Sequence, residues 1–158
     1  MDAIKKSILG YRSSDSRDTT PCILAMRMAF DKFKTFLGKA LKFVADGYTA
    51  YKLAEQQFAL HGMHFDVTQV IGLNKLLKDL IVLLNFLTKL LIGYGSDDGA
   101  NTHLCLFVAY HNFLRPHSYT YWKPLNEVPE LEKAELMPAK WQILIELSQQ
   151  LIIKQQKT

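Results

Sequence analysis

A chain of 158 residues that is 49% apolar is long enough for one domain with its own core, and is not a disordered tail. Its formal net charge of +4, with a pI of about 9.0, permits contact with a nucleic-acid backbone but does not demand it.

The segment SILGYR at 7–12 reads as a strand that opens the chain almost at once. Polar turn residues follow, and Pro21 then starts a helix to about Lys34 on the apolar stripe Ile23, Leu24, Met26, Phe30 and Phe33. Gly38 breaks that pattern. Residues 41–45 form a short apolar strand expected to pair in parallel, 49–60 a helix, and 66–72 (DVTQVIG) a further strand. Helices are expected over about 75–92, 100–114 and 138–155, the last carrying Trp141, Ile143, Leu144, Leu147 and Leu151. The stretch 119–135 reads as an irregular connection. Lys78, Asp79, Asn85 and Lys89 interrupt the apolar run 76–92, which favours an amphipathic helix over a membrane span. Cys22 and Cys105 lack a CxxC partner and sit in apolar helical contexts, so buried reduced thiols are expected rather than a disulfide or a zinc site. The start MDAIKKS has no apolar signal core, and a cytoplasmic location is the expectation.

Two segments carry chemical information. FVADGYTAY at 43–51 is an apolar run ending in Asp46-Gly47, followed by helical residues. That order holds one carboxylate at the carboxyl end of a strand, where α/β sheets place their ligands. The plain alternative is a polar strand exit, since Asp-Gly is common turn material. YHNFLRPH at 110–117 reads as a helix that stops at Pro116. Arg115 and His117 are candidates for a phosphate contact, or parts of a helix end with Arg at the negative pole of the dipole. His61 and His64 form an HxxH too sparse for a metal site, and His103 and His111 are expected to be one partly exposed and one packed. Trp122 and Trp141 are expected as core anchors rather than base-stacking platforms.

The order of SILGYR, DTTPCILAMRMAFDKF, GKALKFVADGYTAYKLAEQQFAL, VTQVIGL, GSDDGAN, LFVAYHNFLRPHSYTYWKPLNEV and MPAKWQILIELSQ resembles the DDE transposases, the integrase-like enzymes of bacterial insertion sequences. The resemblance implies an α/β chain: a partial ribonuclease-H-like fold with a small mixed sheet, flanking helices and a mostly helical C-terminal half. It implies one partial catalytic domain over 1–158, without the family's N-terminal DNA-binding region and first catalytic strand. The family holds Mg2+ or Mn2+ on three acids to cut and join DNA at transposon ends. Its D-G-x-x-A-Y motif falls on Asp46, Gly47, Ala50 and Tyr51, making Asp46 the second acid. Its third acid, a Glu in E-R-x-N-R-T, falls on Val82, with Asn85 matching the Asn. Its Y-x-N-x-x-R-P-H pattern falls on Tyr110, Asn112, Arg115, Pro116 and His117. Asp79 is the best stand-in for the missing Glu; Asp97 and Asp98 read as a Gly-rich turn, Asp2, Asp15 and Asp18 are poor substitutes for the first acid, and Glu55 points away. A shortened, Leu/Lys-rich 74–92 suits a deletion or a shifted reading frame.

The resemblance therefore implies a DNA transposition enzyme fragment that is catalytically inactive. Two other expectations come from different classes: a non-catalytic module that associates through helix 76–92 with itself or with a full-length transposase, and a small membrane-associated protein built on the same helix.

Overall fold

The computed structural model describes residues 5–12, 14, 18–32, 41–45, 49–60, 65–69, 82 and 96–157. In chain order these give α1 (Thr19–Phe30), β1 (Leu41–Ala45), α2 (Thr49–Leu60), β2 (Phe65–Gln69), α3 (Asp97–Ala109), a π-helical turn (Tyr110–Leu114), a 3-10 turn (Ser118–Thr120), α4 (Pro129–Glu132) and α5 (Met137–Gln156). The chain divides into two compact units, one spanning Leu9–Cys105 and the other joining Asp2–Ile8 to Leu106–Thr158.

In the first unit α1 starts earlier than Pro21 alone suggests. Asp18 is its N-cap residue, and Pro21 occupies the first turn, where the missing N–H has no intrahelical role. The helix ends at Phe30, short of the expected Lys34, with Asp31 and Lys32 in a turn. Its Met26 and Phe30 pack on Ala54 and Phe58 of α2, with Cys22, Ile23 and Tyr51 closing the edge. Ala50, Ala54 and Phe58 recur every four residues, so α2 presents one buried stripe of two small residues and one ring. Phe30 and Phe58 meet edge to face at a centroid distance of 4.9 Å. The helix joins two parallel strands, paired from Leu41↔Phe65 to Ala45↔Gln69.

The α/β reading with a small mixed sheet, as a partial ribonuclease-H-like fold, is overturned. Four helices of 12, 12, 13 and 20 residues dominate the described residues, against a single pair of five-residue strands, both parallel. SILGYR is not a strand; its residues have no regular secondary structure. Two physical causes are visible. The side chain of Asn112 occupies both backbone groups of Ile8, which a neighbouring strand would need. Gly10 lies directly on α1, and a Cβ there would run into the Ala25 carbonyl oxygen and stand 3.0 Å from the Ala29 nitrogen. The segment therefore runs across a helix and is bonded by a side chain.

In the second unit, Phe107, Val108, Leu114, Leu125 and Leu131 are buried. Ser96 caps α3: its hydroxyl oxygen accepts the Gly99 N–H at 3.1 Å. Asp97 and Asp98 thus begin the helix rather than lying in the expected Gly-rich turn. The expected irregular connection contains the 3-10 turn and α4, which has Pro129 in its first turn. α5 matches the expected 138–155 closely, yet none of its residues is buried, and Ile145, Leu151, Ile152 and Ile153 are exposed. Trp122 is not a core anchor; it is among the most exposed apolar residues. Trp141 is half-buried. The expectation of two buried thiols also fails for Cys105, which is exposed; Cys22 is half-buried, and burial pushes its thiol pKa up. Burial, then a side-chain hydrogen bond with Cys105, pushes the Tyr11 pKa up to about 12.

Because the Gly10 contact is with helix backbone, a flexible side chain cannot move aside to accept a methyl group. Gly10→Ala is expected to lower stability by about 1–3 kcal/mol in urea unfolding of the full chain. An unchanged midpoint would show that the segment does not lie on α1.

Candidate functional site

The first candidate is the end of β1. Asp46, Gly47 and Tyr48 follow Ala45 and precede α2, so the sequence places the carboxylate just beyond the carboxyl end of a parallel strand. Asp46 and Gly47 lie outside the described residues, as do Asn85, Asp79, His61 and His64. Tyr51 is half-buried against the α1–α2 core. Val82 is helical and 65% exposed, an apolar side chain in solvent. Glu55 is half-buried on α2. Among the described residues no group of three or more His, Cys, Asp or Glu is arranged to hold a metal ion. Mg2+ or Mn2+ takes several oxygen ligands, and a two-ion site takes carboxylates from more than one element. Of the two positions that the resemblance assigns to acids within this chain, 46 is an Asp and 82 is a Val, so together they supply one carboxylate, which does not fit a two-ion centre.

The second candidate is the Tyr110–His117 motif in the other unit, which is described in full. The π-helical turn closes with the Arg115 N–H bonded to the Tyr110 carbonyl at 2.7 Å, and Arg115 is extended. The wider turn places consecutive residues His111 and Asn112 inward, with Leu114. Asn112 is the centre. Its Oδ1 accepts the Ile8 N–H at 2.8 Å, its Nδ2 donates to the Ile8 carbonyl at 2.9 Å, and its own carbonyl accepts the Asn126 N–H at 2.9 Å. Residues 104 apart in sequence are thereby held by one planar amide.

The two histidines continue the network. His117 Nε2 donates to the His111 carbonyl at 3.0 Å, and His111 Nε2 faces the Lys6 carbonyl at 3.4 Å. A carbonyl only accepts, so both rings carry their proton on Nε2. The rings meet edge to face at 4.9 Å, and Phe107 stacks on His111. His111 is only 5% exposed, and its Nδ1 has no hydrogen-bond partner among the described residues. Burial pulls its pKa below the usual imidazole value; the Lys6 carbonyl opposes this, and the charges of His117 and Arg115 add to it. His103 is half-buried while His111 is packed, which is the division expected from the sequence.

His117, a candidate phosphate contact, is buried with its Nε2 committed to a backbone carbonyl, so it positions the turn instead. Arg115 is half-buried and Pro116 and Tyr110 are exposed. Sequence reasoning gave Asn112 no role of its own, although an Asn between apolar helical residues is the signal that a buried amide leaves. It also missed the turn that follows, where Tyr121 and Trp122 both have positive φ.

Comparison of the chain with family models, curated proteins and solved structures returns no match.

Asn112→Ala leaves the Ile8 N–H and carbonyl without their partner, and the loss is expected to be about 2–4 kcal/mol in urea unfolding. Asn112→Asp should lose nearly as much, because a carboxylate cannot donate to the Ile8 carbonyl. Parity of either variant with the parent would count against the clamp. The lowered pKa of His111 means that the unfolded chain binds its proton first. Stability is therefore complete above the unfolded value of about 6.5 and falls as the pH drops from there toward the folded pKa. Urea titrations across this range should show that loss, and His111→Phe should flatten it.

Proposed function

We propose that the chain is a non-catalytic relative of the DDE transposases, retaining parts of a domain that handled DNA ends without the acids that react. The observation that carries this reading is the union of SILGYR and YHNFLRPH, two distant pieces of the resemblance, through the Asn112 amide and Ile8. Chance likeness of short motifs gives no reason for two of them to share one part-buried pair of hydrogen bonds. The order strand, D-G-x-x-A-Y, helix supports it further, since Asp46 follows β1 and leads into α2. The exposure of Val82 on a helix supports assigning that position to a polar residue. With Val82 there, Asp46 lacks its partner acid, and no cleavage of DNA is expected of this chain.

A second reading, an interaction module, is favoured by α5. A 20-residue helix that buries none of its residues and exposes Ile145, Leu151, Ile152 and Ile153 offers apolar surface for association with another copy or with a full-length relative. Helix 76–92, the expected site for this role, lies outside the described residues apart from Val82. No helix among the described residues is long and apolar enough to cross a membrane.

Mn2+ titration monitored by paramagnetic line broadening tests the first reading. The parent chain should bind Mn2+ weakly through Asp46, and Asp46→Asn should abolish the effect. Val82→Glu should tighten binding by roughly tenfold as a second carboxylate joins the first. If Val82→Glu leaves the affinity unchanged, the two positions do not converge and the assignment fails. Nicking of plasmid DNA by the parent chain that Asp46→Asn removes would overturn the expected inactivity.

A further inference from the structure

The turn after the Tyr110–His117 motif is built to hold aromatic rings in water. Tyr121 and Trp122 have φ of 55° and 63°, the left-handed region that bulky side chains rarely adopt, and neither is glycine or asparagine. They are 92% and 74% exposed, so no packing of the rings offsets this conformation. What fixes it lies beneath them. His117 N–H bonds the Lys123 carbonyl at 3.1 Å, and the Trp122 N–H bonds the His117 carbonyl at 2.9 Å. The Thr120 hydroxyl reaches both the His117 and the Lys123 carbonyls. His117, buried under the turn, anchors this bridge. Tyr119, 53% exposed, leans on the His117 ring at a centroid distance of 5.2 Å.

The rest of the surface of this turn is polar or cationic. Ser118 and Lys123 flank the three rings in sequence, Thr120 lies between the first two, and no aliphatic residue occurs from 118 to 123. Arg115 makes no ion pair among the described residues, and its charge is close enough to Tyr119 to act on the phenol. Lys123 is bonded to Glu127 at 3.1 Å, so Arg115 is the cation better placed to meet a phosphate. Exposed π faces with a nearby guanidinium match unpaired bases on a phosphate chain.

We infer that the Tyr119–Trp122 turn, with Arg115 beside it, is a stacking platform for the unpaired bases of a single-stranded nucleic acid. This rests on the reading of the chain as a relative of enzymes that handle DNA ends, and it adds which part of the strand is held and by which residues. Tyr121 and Trp122 take base faces, Arg115 takes a backbone phosphate, and His117 positions the turn from below.

The chain has two tryptophans, so the full chain with Trp141→Phe reports on Trp122 alone. Its emission should be quenched, saturably, by an oligothymidylate of about 12 nucleotides and much less by a duplex of equal length. Trp122→Ala and Tyr121→Ala, followed by anisotropy of a labelled oligonucleotide, should each weaken binding roughly fivefold or more. Arg115→Gln should weaken it and reduce its salt dependence. Far-UV circular dichroism checks that each variant is folded, and the quenching of the Trp141→Phe chain does not depend on the alanine variants. Absence of quenching, equal quenching by duplex, or affinity untouched by both alanine changes would overturn the platform. So would a Trp122 signal that follows chain concentration without nucleic acid, which would mark the turn as a contact between copies. The Mn2+ titration at Asp46 reports on the other unit, so a chain that passes it and ignores the oligonucleotide refutes the platform alone.

Discussion

A primary amide presents one donor and one acceptor in a plane, side by side, as the edge of a peptide does. Asn112 uses that likeness against Ile8, occupying the N–H and the carbonyl of one residue. Buried backbone groups must be paired, and here the partner is a side chain instead of a strand. The unit formed by Asp2–Ile8 and Leu106–Thr158 depends on this pair, because it ties the start of the chain to a helix more than a hundred residues away. It also explains why SILGYR is not a strand: a sheet ladder at Ile8 would have to displace the amide.

Around that pair the protein uses π-helical geometry to turn neighbouring residues inward together. In an ordinary α-helix His111 and Asn112 would diverge by about 100°. The longer bond from the Arg115 N–H to Tyr110 widens the turn, and both side chains are buried. The carbonyls of Lys6 and His111 then set the tautomers of His111 and His117. Among the described residues, the bare Nδ1 of His111 is the one buried side-chain polar atom without a hydrogen-bond partner, and it makes the network acid-sensitive.

Much of the helical structure could be read from the sequence. α2 has the expected bounds, α5 begins one residue before the expected start, and β1 and its parallel pairing follow from a short apolar run between helices. These features are written in local periodicity and turn chemistry. What failed was set by distant partners. SILGYR has strand-like composition, but Asn112 and the close approach of Gly10 to α1 decide its conformation. Trp122 was expected in a core because large rings usually are buried; nothing local announces a left-handed turn without glycine. At the candidate site, Asp46 is legible only as a position after β1. The role of Asn112 was present in the sequence as a polar residue among apolar ones, but its partner was not.

Under the proposed reading, the residues that hold this chain together and the positions that the family uses for chemistry are different sets, with different tolerance to change. A carboxylate at an exposed helical position such as 82 contributes little to stability, and a valine there leaves no buried group unpaired. Loss of the Asn112 amide leaves two part-buried backbone groups without their partner. A chain can lose its chemistry by surface substitution while the Asn112–Ile8 clamp and the His117-anchored turn persist, because those are held by hydrogen bonds that do not involve any acid.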